Sequence, residues 1–267
     1  MPTRQPDSPS TKNMYFSRSN LLLGDEAMQR LATARVIIFG TGGVGSWCAE
    51  SLIRTGLRHL TLVDFDTVSP SNVNRQAMAT ARTIGKVKVD AMRTHLLEIN
   101  PDADITAVNS IYNADTADSF HLDNYDYVID AIDSLRDKVL LIQRATASGA
   151  CLFSAMGAAL KTDPTRLQVA EFWKVRGCPL AAALRRTFKR MGCRPAKKFL
   201  CVFSEELLKN KGADKNGDNN TQPCGETTAA ASPINKPHTN GSLVQVTAPA
   251  GFTLASLVIN NICQAEQ

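Results

Sequence analysis

Val36-Ile37-Ile38-Phe39-Gly40-Thr41-Gly42-Gly43-Val44-Gly45 is the stretch that decides the fold. Its four leading apolar residues read as a strand, and the glycines that stop it satisfy G-x-G-x-x-G at Gly40, Gly42 and Gly45. Apolar residues at helical spacing follow at Trp47, Leu52 and Ile53, and then a second strand, Leu60-Thr61-Leu62-Val63-Asp64. Strand, glycine turn, helix and strand in this order form a nucleotide-binding unit. Glycines let backbone N–H groups approach a phosphate, and the helix N-terminus adds partial positive charge. Asp64 closes the second strand 24 residues after Gly40, the position from which a carboxylate reaches ribose hydroxyls.

Outward from this unit the alternation continues. The pattern predicts helices over 25–32, 87–99 and 136–147, and strands over 105–108, 127–131 and 151–155. Asn100-Pro101 stops the second of these helices. Alternating units of this kind imply an α/β fold, with a Rossmann-like, mostly parallel sheet and helices on both faces. After Gly157 the pattern changes to a strand over 167–172, a basic helix over 180–191 and a strand over 200–204. Residues 209–240, rich in Asn, Gly, Thr, Pro and Ala, read as a long mobile loop. Thr247-Ala248-Pro249-Ala250-Gly251-Phe252 and an apolar helix to about residue 262 close the chain. The organisation expected is a disordered tail over 1–13, polar and without the apolar core of a secretory signal, and one domain over 14–267. That domain divides into a Rossmann-like part (14–157) and a mixed extension (158–267).

Composition narrows the class. The chain has 267 residues, 43% apolar and 21% charged, and no run approaching the ~18 consecutive apolar residues of a membrane span. Its seven cysteines are scattered without a C-x-x-C pair, which disfavours a disulfide framework and a structural zinc site and points to a cytoplasmic protein. The net charge of +5 is unevenly distributed. Nine basic residues and no acidic one lie between Lys174 and Lys198, so the remainder of the chain carries −4. Either this is a solvated helix face, or Arg185, Arg186, Lys189, Arg190, Lys197 and Lys198 belong to a phosphate-tracking patch beside the nucleotide crevice.

The fingerprint alone also serves a dinucleotide, but its neighbours favour a triphosphate. Asp66 follows Asp64 at i+2; Asn72 and Arg75 lie in Ser71-Asn72-Val73-Asn74-Arg75-Gln76; Lys88 follows in Gly85-Lys86-Val87-Lys88-Val89. Departure of pyrophosphate needs this positive charge, whereas a hydride donor does not. Asp130-Ala131-Ile132-Asp133-Ser134 ends the fourth strand with two carboxylates expected in the same crevice, suited to a magnesium ion held by phosphate oxygens.

The ordered set Arg18, Gly40-x-Gly42-Gly43-x-Gly45, Asp64-x-Asp66, Asn72-x-x-Arg75-Gln76, Lys88 and Asp130-x-x-Asp133 resembles the ubiquitin-activating-enzyme-like adenylyltransferases. That superfamily includes the molybdopterin-synthase and thiamin-biosynthesis adenylyltransferases. Within it the chain is most similar to the tRNA threonylcarbamoyladenosine dehydratases. Gly43-Val44-Gly45-Ser46-Trp47, Val128-Ile129-Asp130-Ala131-Ile132-Asp133-Ser134, Asp163-Pro164-Thr165, Cys201-Val202-Phe203-Ser204-Glu205 and Gly251-Phe252 carry that likeness, over about residues 14–262.

The resemblance implies that Gly40, Gly42, Gly43 and Gly45 wrap the ATP phosphates and Asp64, with Asp66 beside it, holds the ribose. Asn72, Arg75 and Lys88 would meet phosphates, and Asp133 would position magnesium and the attacking carboxylate. Arg18 would reach in from a second subunit, making a homodimer part of the catalytic unit. The implied reaction is ATP-dependent cyclisation of N6-threonylcarbamoyladenosine beside the tRNA anticodon, with a cysteine-desulfurase and sulfur-acceptor system as a candidate partner. Three readings compete with it: activation of the C-terminus of a ubiquitin-like sulfur carrier, an NAD-dependent oxidoreductase, and a catalytically silent nucleotide-binding scaffold. Cys201 is read as a packing residue in preference to a thioester nucleophile, and Cys224 has no assigned role.

Overall fold

The computed structural model describes residues 15–212 and 240–264. The expected tail over 1–13, most of the expected loop over 209–240, and Cys224 lie outside the described residues. A seven-stranded sheet runs in the order β3-β2-β1-β4-β5-β7-β6, formed by Arg35–Phe39 (β1), His59–Val63 (β2), Asp104–Val108 (β3), Tyr127–Asp130 (β4), Cys151–Ala155 (β5), Leu167–Glu171 (β6) and Leu200–Ser204 (β7). All neighbours pair in parallel except β6, which lies antiparallel on β7 at the edge. Every strand agrees with its expected position to within one residue.

The strands are apolar runs because both faces of the sheet are covered. On β1, Val36 and Ile38 join one core and Ile37 and Phe39 the other. The first core is covered by Gly45–Thr55 (α3), Lys88–Ile99 (α4) and Val244–Gln264 (α7), through residues such as Leu52, Met92 and Leu254. The second is covered by Leu135–Ala147 (α5) and Pro179–Arg190 (α6), through Ile142, Leu184 and Phe188. Two short helices precede β1: Ser17–Leu23 (α1) and Asp25–Thr33 (α2). The periodicity misses α1 because that helix has no buried residue to reveal a face.

The last helix also differs from expectation. Residues 247–252 are not a separate segment before it; α7 is continuous from Val244 and contains Pro249. Gly251 lets α7 cross α3 at backbone distance. A Cβ there would lie 2.8 Å from the Cys48 amide nitrogen and 2.9 Å from Trp47 Cβ, and closer still to the Val44 carbonyl oxygen. By length and composition α7 is the one described helix able to cross a bilayer, yet it lies on α3 with Val246, Leu254, Ala255 and Val258 in the core.

Candidate active site at the strand ends

Because β1, β2, β4, β5 and β7 are parallel, their C-terminal ends share one edge of the sheet. The chain leaves β1 and β4 in opposite directions at that edge, which opens a crevice between them. Gly40 ends β1 with φ of 89°, a left-handed conformation, and a Cβ there would stand 2.7 Å from the Ala131 carbonyl oxygen. Only glycine fits. Gly45 opens α3 with the Gly40 carbonyl pressed against it, while the missing side chain of Gly42 faces open space. Thr41 N–H is held by Asp64, but among the described hydrogen bonds the amides of Gly42, Gly43 and Val44 donate to nothing in the chain. Free amides at a helix N-terminus form an anion cradle.

Each predicted charge is held in a defined way. Asp64 Oδ2 accepts from Thr41 N (2.7 Å) and Thr41 Oγ1 (3.0 Å), and Oδ1 accepts from Asp66 N (3.0 Å). Lys88 donates from Nζ to Asp66 Oδ2 at 2.7 Å while its amide donates to the Asp66 carbonyl at 2.9 Å. Lys88 is also the first residue of α4 and only 6% exposed. A cation there works against the helix dipole and its own hydration, a cost that packing does not explain. Asn72 is buried in the 3-10 turn Pro70–Asn72, where its Oδ1 accepts from Ser69 N at 3.0 Å.

Arg75 lies across the glycine loop. Its stem reaches within 3.2 Å of where a Gly43 Cβ would be, and its Nη1 donates to Ser71 O (2.9 Å) and Asn74 Oδ1 (3.0 Å). Burial pushes the Arg75 guanidinium below its usual range, and the nearby Asp133 carboxylate works against that. Its carbonyl accepts from Trp47 Nε1 at 2.8 Å, which ties this segment to α3. Asp133 itself is exposed at the crevice.

The structure corrects one expectation, the placing of Asp130, and agrees with Cys201 as a packing residue. Asp130 does not face the crevice: it is fully buried and paired with Lys138, 2.9 Å from Asp130 Oδ1. Cys201 is fully buried on β7, and burial pushes its thiol upward, away from the reactive thiolate. Arg18, exposed on α1, lies at the opposite edge of the sheet from its own glycine loop. The cleft beside α1 is lined by Arg58, Asn100 and Asp102, which lead into β2 and β3, so about 17 Å of strand separates the two.

The basic segment runs down a flank of the molecule and does not rim the crevice. Helix α6 starts at the crevice edge, with Leu180 Cβ 3.9 Å from where a Gly157 Cβ would be. It descends to the far edge, where Lys197 Nζ donates to Ser148 O at 2.6 Å just before β5, with Lys198 beside the same loop. Arg185 is half-buried, donating to Phe172 O at 3.1 Å over the Phe172 ring, whereas Arg186, Lys189 and Arg190 are exposed.

Sequence reasoning passed over two groups beside the crevice. Lys138 and Ser154 sit on separate elements, and no spacing connects them to Asp130. Thr247, on the first turn of α7, is 3% exposed and packs against Gly43, with no partner for its hydroxyl among the described residues.

Comparison with known proteins agrees with this geometry. The ThiF family model matches residues 16–265. The chain is 39% identical over 191 residues to the tRNA threonylcarbamoyladenosine dehydratase of Bacillus subtilis, covering 72% of this chain and 74% of that one. The Haemophilus influenzae enzyme of the same name is 32% identical over 252 residues, 92% of each chain. The crystal structure of Escherichia coli tRNA N6-threonylcarbamoyladenosine dehydratase in complex with ATP superposes with a TM-score of 0.80 at 32% identity, covering 95% of this chain and 96% of that one. This chain belongs to the ThiF family and, within it, to the tRNA threonylcarbamoyladenosine dehydratases.

Proposed function

We propose that the chain catalyses the ATP-dependent dehydration of N6-threonylcarbamoyladenosine in tRNA through a carboxyl adenylate. The observation that carries this reading is the set of charged groups gathered around an anion cradle in a chain that matches named dehydratases along nearly its full length. The threonine carboxylate attacks the α-phosphorus of ATP and pyrophosphate departs. A nitrogen of the same substituent then attacks the activated carbonyl, AMP leaves, and the ring closes. A carboxylate would otherwise have to expel oxide, so activation is the step that needs ATP. Closure is intramolecular and gains from proximity.

In this reading the glycine loop receives the phosphates and Asp64 the ribose. Arg75, Lys88 and Asn72 stabilise charge that develops on the leaving pyrophosphate. To meet a phosphate, Lys88 would have to release or share its ion pair with Asp66. A magnesium ion fits the donor set, because Asp133 offers one exposed carboxylate and magnesium is commonly held by one or two carboxylates plus substrate phosphates. When bound, it would neutralise phosphate charge. No group of three acidic, His or Cys side chains that could hold a metal without the nucleotide occurs among the described residues.

Arg18 acts on the site of a second subunit, so the working form is a homodimer, and the edge position of α1 favours this over action in cis. The exposed face of α6 follows the tRNA backbone. The protein works in the cytoplasm, and a sulfur-transfer system is a candidate partner.

The decisive experiment is incubation with ATP, magnesium and tRNA carrying the modified adenosine. Pyrophosphate release and an 18 Da loss in the nucleoside, the mass of one water, are expected by chemistry. Turnover that requires a ubiquitin-like sulfur carrier and ignores tRNA would instead support the carrier-activating reading.

A further inference from the structure

Beneath the turn that carries Asp133 lies a charged network sealed from solvent. Lys138 on α5 donates from Nζ to the Ile132 carbonyl at 2.9 Å and forms an ion pair with Asp130, both side chains having 0% exposure. Asp130 Oδ1 accepts from the Ile132 amide at 3.2 Å, and Oδ2 accepts from Ser154 Oγ on β5 at 2.7 Å. One ion pair thereby holds both backbone polar groups of Ile132, the residue immediately before Asp133. The turn is gripped from the other side as well: Ala131 N donates to Phe39 O at 2.9 Å, and the Ala131 carbonyl occupies the space left by the absent side chain of Gly40.

A pair of this kind is a poor way to gain stability. Desolvating two charges offsets much of their attraction, and apolar residues of similar volume often serve a fold as well or better. Fixed geometry is what a fully satisfied buried network adds. Neither side chain reaches the crevice, so neither can touch a nucleotide. Both act on the turn that separates the glycine loop from α5.

We propose that Asp130, Lys138 and Ser154 are a positioning unit for the adenylation step, holding the 131–134 turn so that Asp133 meets the phosphates in one geometry beside Arg75. The inference rests on the functional reading above and adds three residues that act through the backbone of Ile132.

The test pairs a neutral replacement with a minimal one. In Asp130→Asn/Lys138→Met the charges are removed together, Asn keeps an acceptor for the Ile132 amide, and the Ile132 carbonyl loses its donor. The expected result is an unfolding midpoint within about 5 °C of the parent, a kcat for pyrophosphate release lower by about 100-fold and a KM for ATP changed by less than about threefold. Ser154→Ala removes a single bond to Asp130 and should lower kcat by about 10-fold with KM unchanged. A folded double variant that retains the parent kcat overturns the proposal, as does a fall in kcat no larger than the loss of folded protein. If the double variant does not fold, Ser154→Ala decides by the same criteria. If the parent itself ignores modified tRNA, the functional reading fails. The positioning claim is then read from a crystal structure of Ser154→Ala, where an Asp133 that has not moved overturns it and a displaced one supports it.

Discussion

The crevice edge and the α6 flank both carry dense charge, and they organise it in opposite ways. At the crevice most charged side chains are committed: Asp64 to Thr41, Lys88 to Asp66, and Arg75 to Ser71 and Asn74. Along α6, Arg186, Lys189 and Arg190 stand exposed on a helix whose other face buries Ala181, Leu184 and Phe188. Charge that must meet one small transition state is fixed before the ligand arrives. Charge that follows a polyanion can remain mobile, because counterion release does not demand a single geometry.

The largest effects should therefore come from removing one committed group. Asp133→Ala or Arg75→Ala should lower kcat by about 10²- to 10³-fold while the unfolding midpoint scarcely moves, as measured by pyrophosphate release alongside calorimetry. Mixing Arg18→Ala with Asp133→Ala subunits sharpens the same point. If Arg18 acts in trans, the mixture regains activity that neither variant has alone, and exchange of subunits without recovery refutes it.

On the flank the response should be smaller and graded. Arg186→Glu with Lys189→Glu should weaken tRNA binding by about 10-fold near 0.1 M salt, reduce the salt slope by about two and leave the KM for ATP unchanged. An unchanged salt slope would make α6 an ordinary solvated face. Arg185 is a poor choice for this test, since its bond to Phe172 gives it a packing role.

The extension also contains a committed carboxylate. The amides of Asp163 and Thr162 hold the Glu206 carboxylate below the usual range. A carboxylate with a lowered folded pKa adds stability above its unfolded pKa of about 4.3, and that stability disappears as pH falls through the folded value. Glu206→Gln should therefore flatten the acid limb of stability below about pH 4 and leave neutral-pH activity intact. The smallest effect on catalysis should come from Cys201→Ala: full turnover, with about 1 kcal/mol of stability lost. A dead but folded Cys201→Ala would reinstate the thioester.

How much of this is legible beforehand depends on whether a residue's environment is written locally. The strands are legible because burial on both faces leaves unbroken apolar runs such as Val36 to Phe39. The glycine loop is legible because its conformational demands select its residues. Asp130 and Asp133 look equivalent in the chain, and only the arrival of Lys138 from α5 and Ser154 from β5 buries one and leaves the other at the crevice. Pro249 and Gly251 set residues 247–252 apart from the apolar helix that follows, yet Gly251 serves a helix crossing that involves α3, roughly 200 residues earlier in the chain and beyond any local window.

That crossing has a consequence for how the molecule is made. The glycine loop and α3 leave the ribosome roughly 200 residues ahead of α7, the helix that covers α3. At about 5–20 residues per second, the nascent chain carries an uncovered apolar face on α3 for some tens of seconds. The site for the nucleotide is thus completed only when α7 arrives to pack Thr247 against Gly43 and Gly251 against α3.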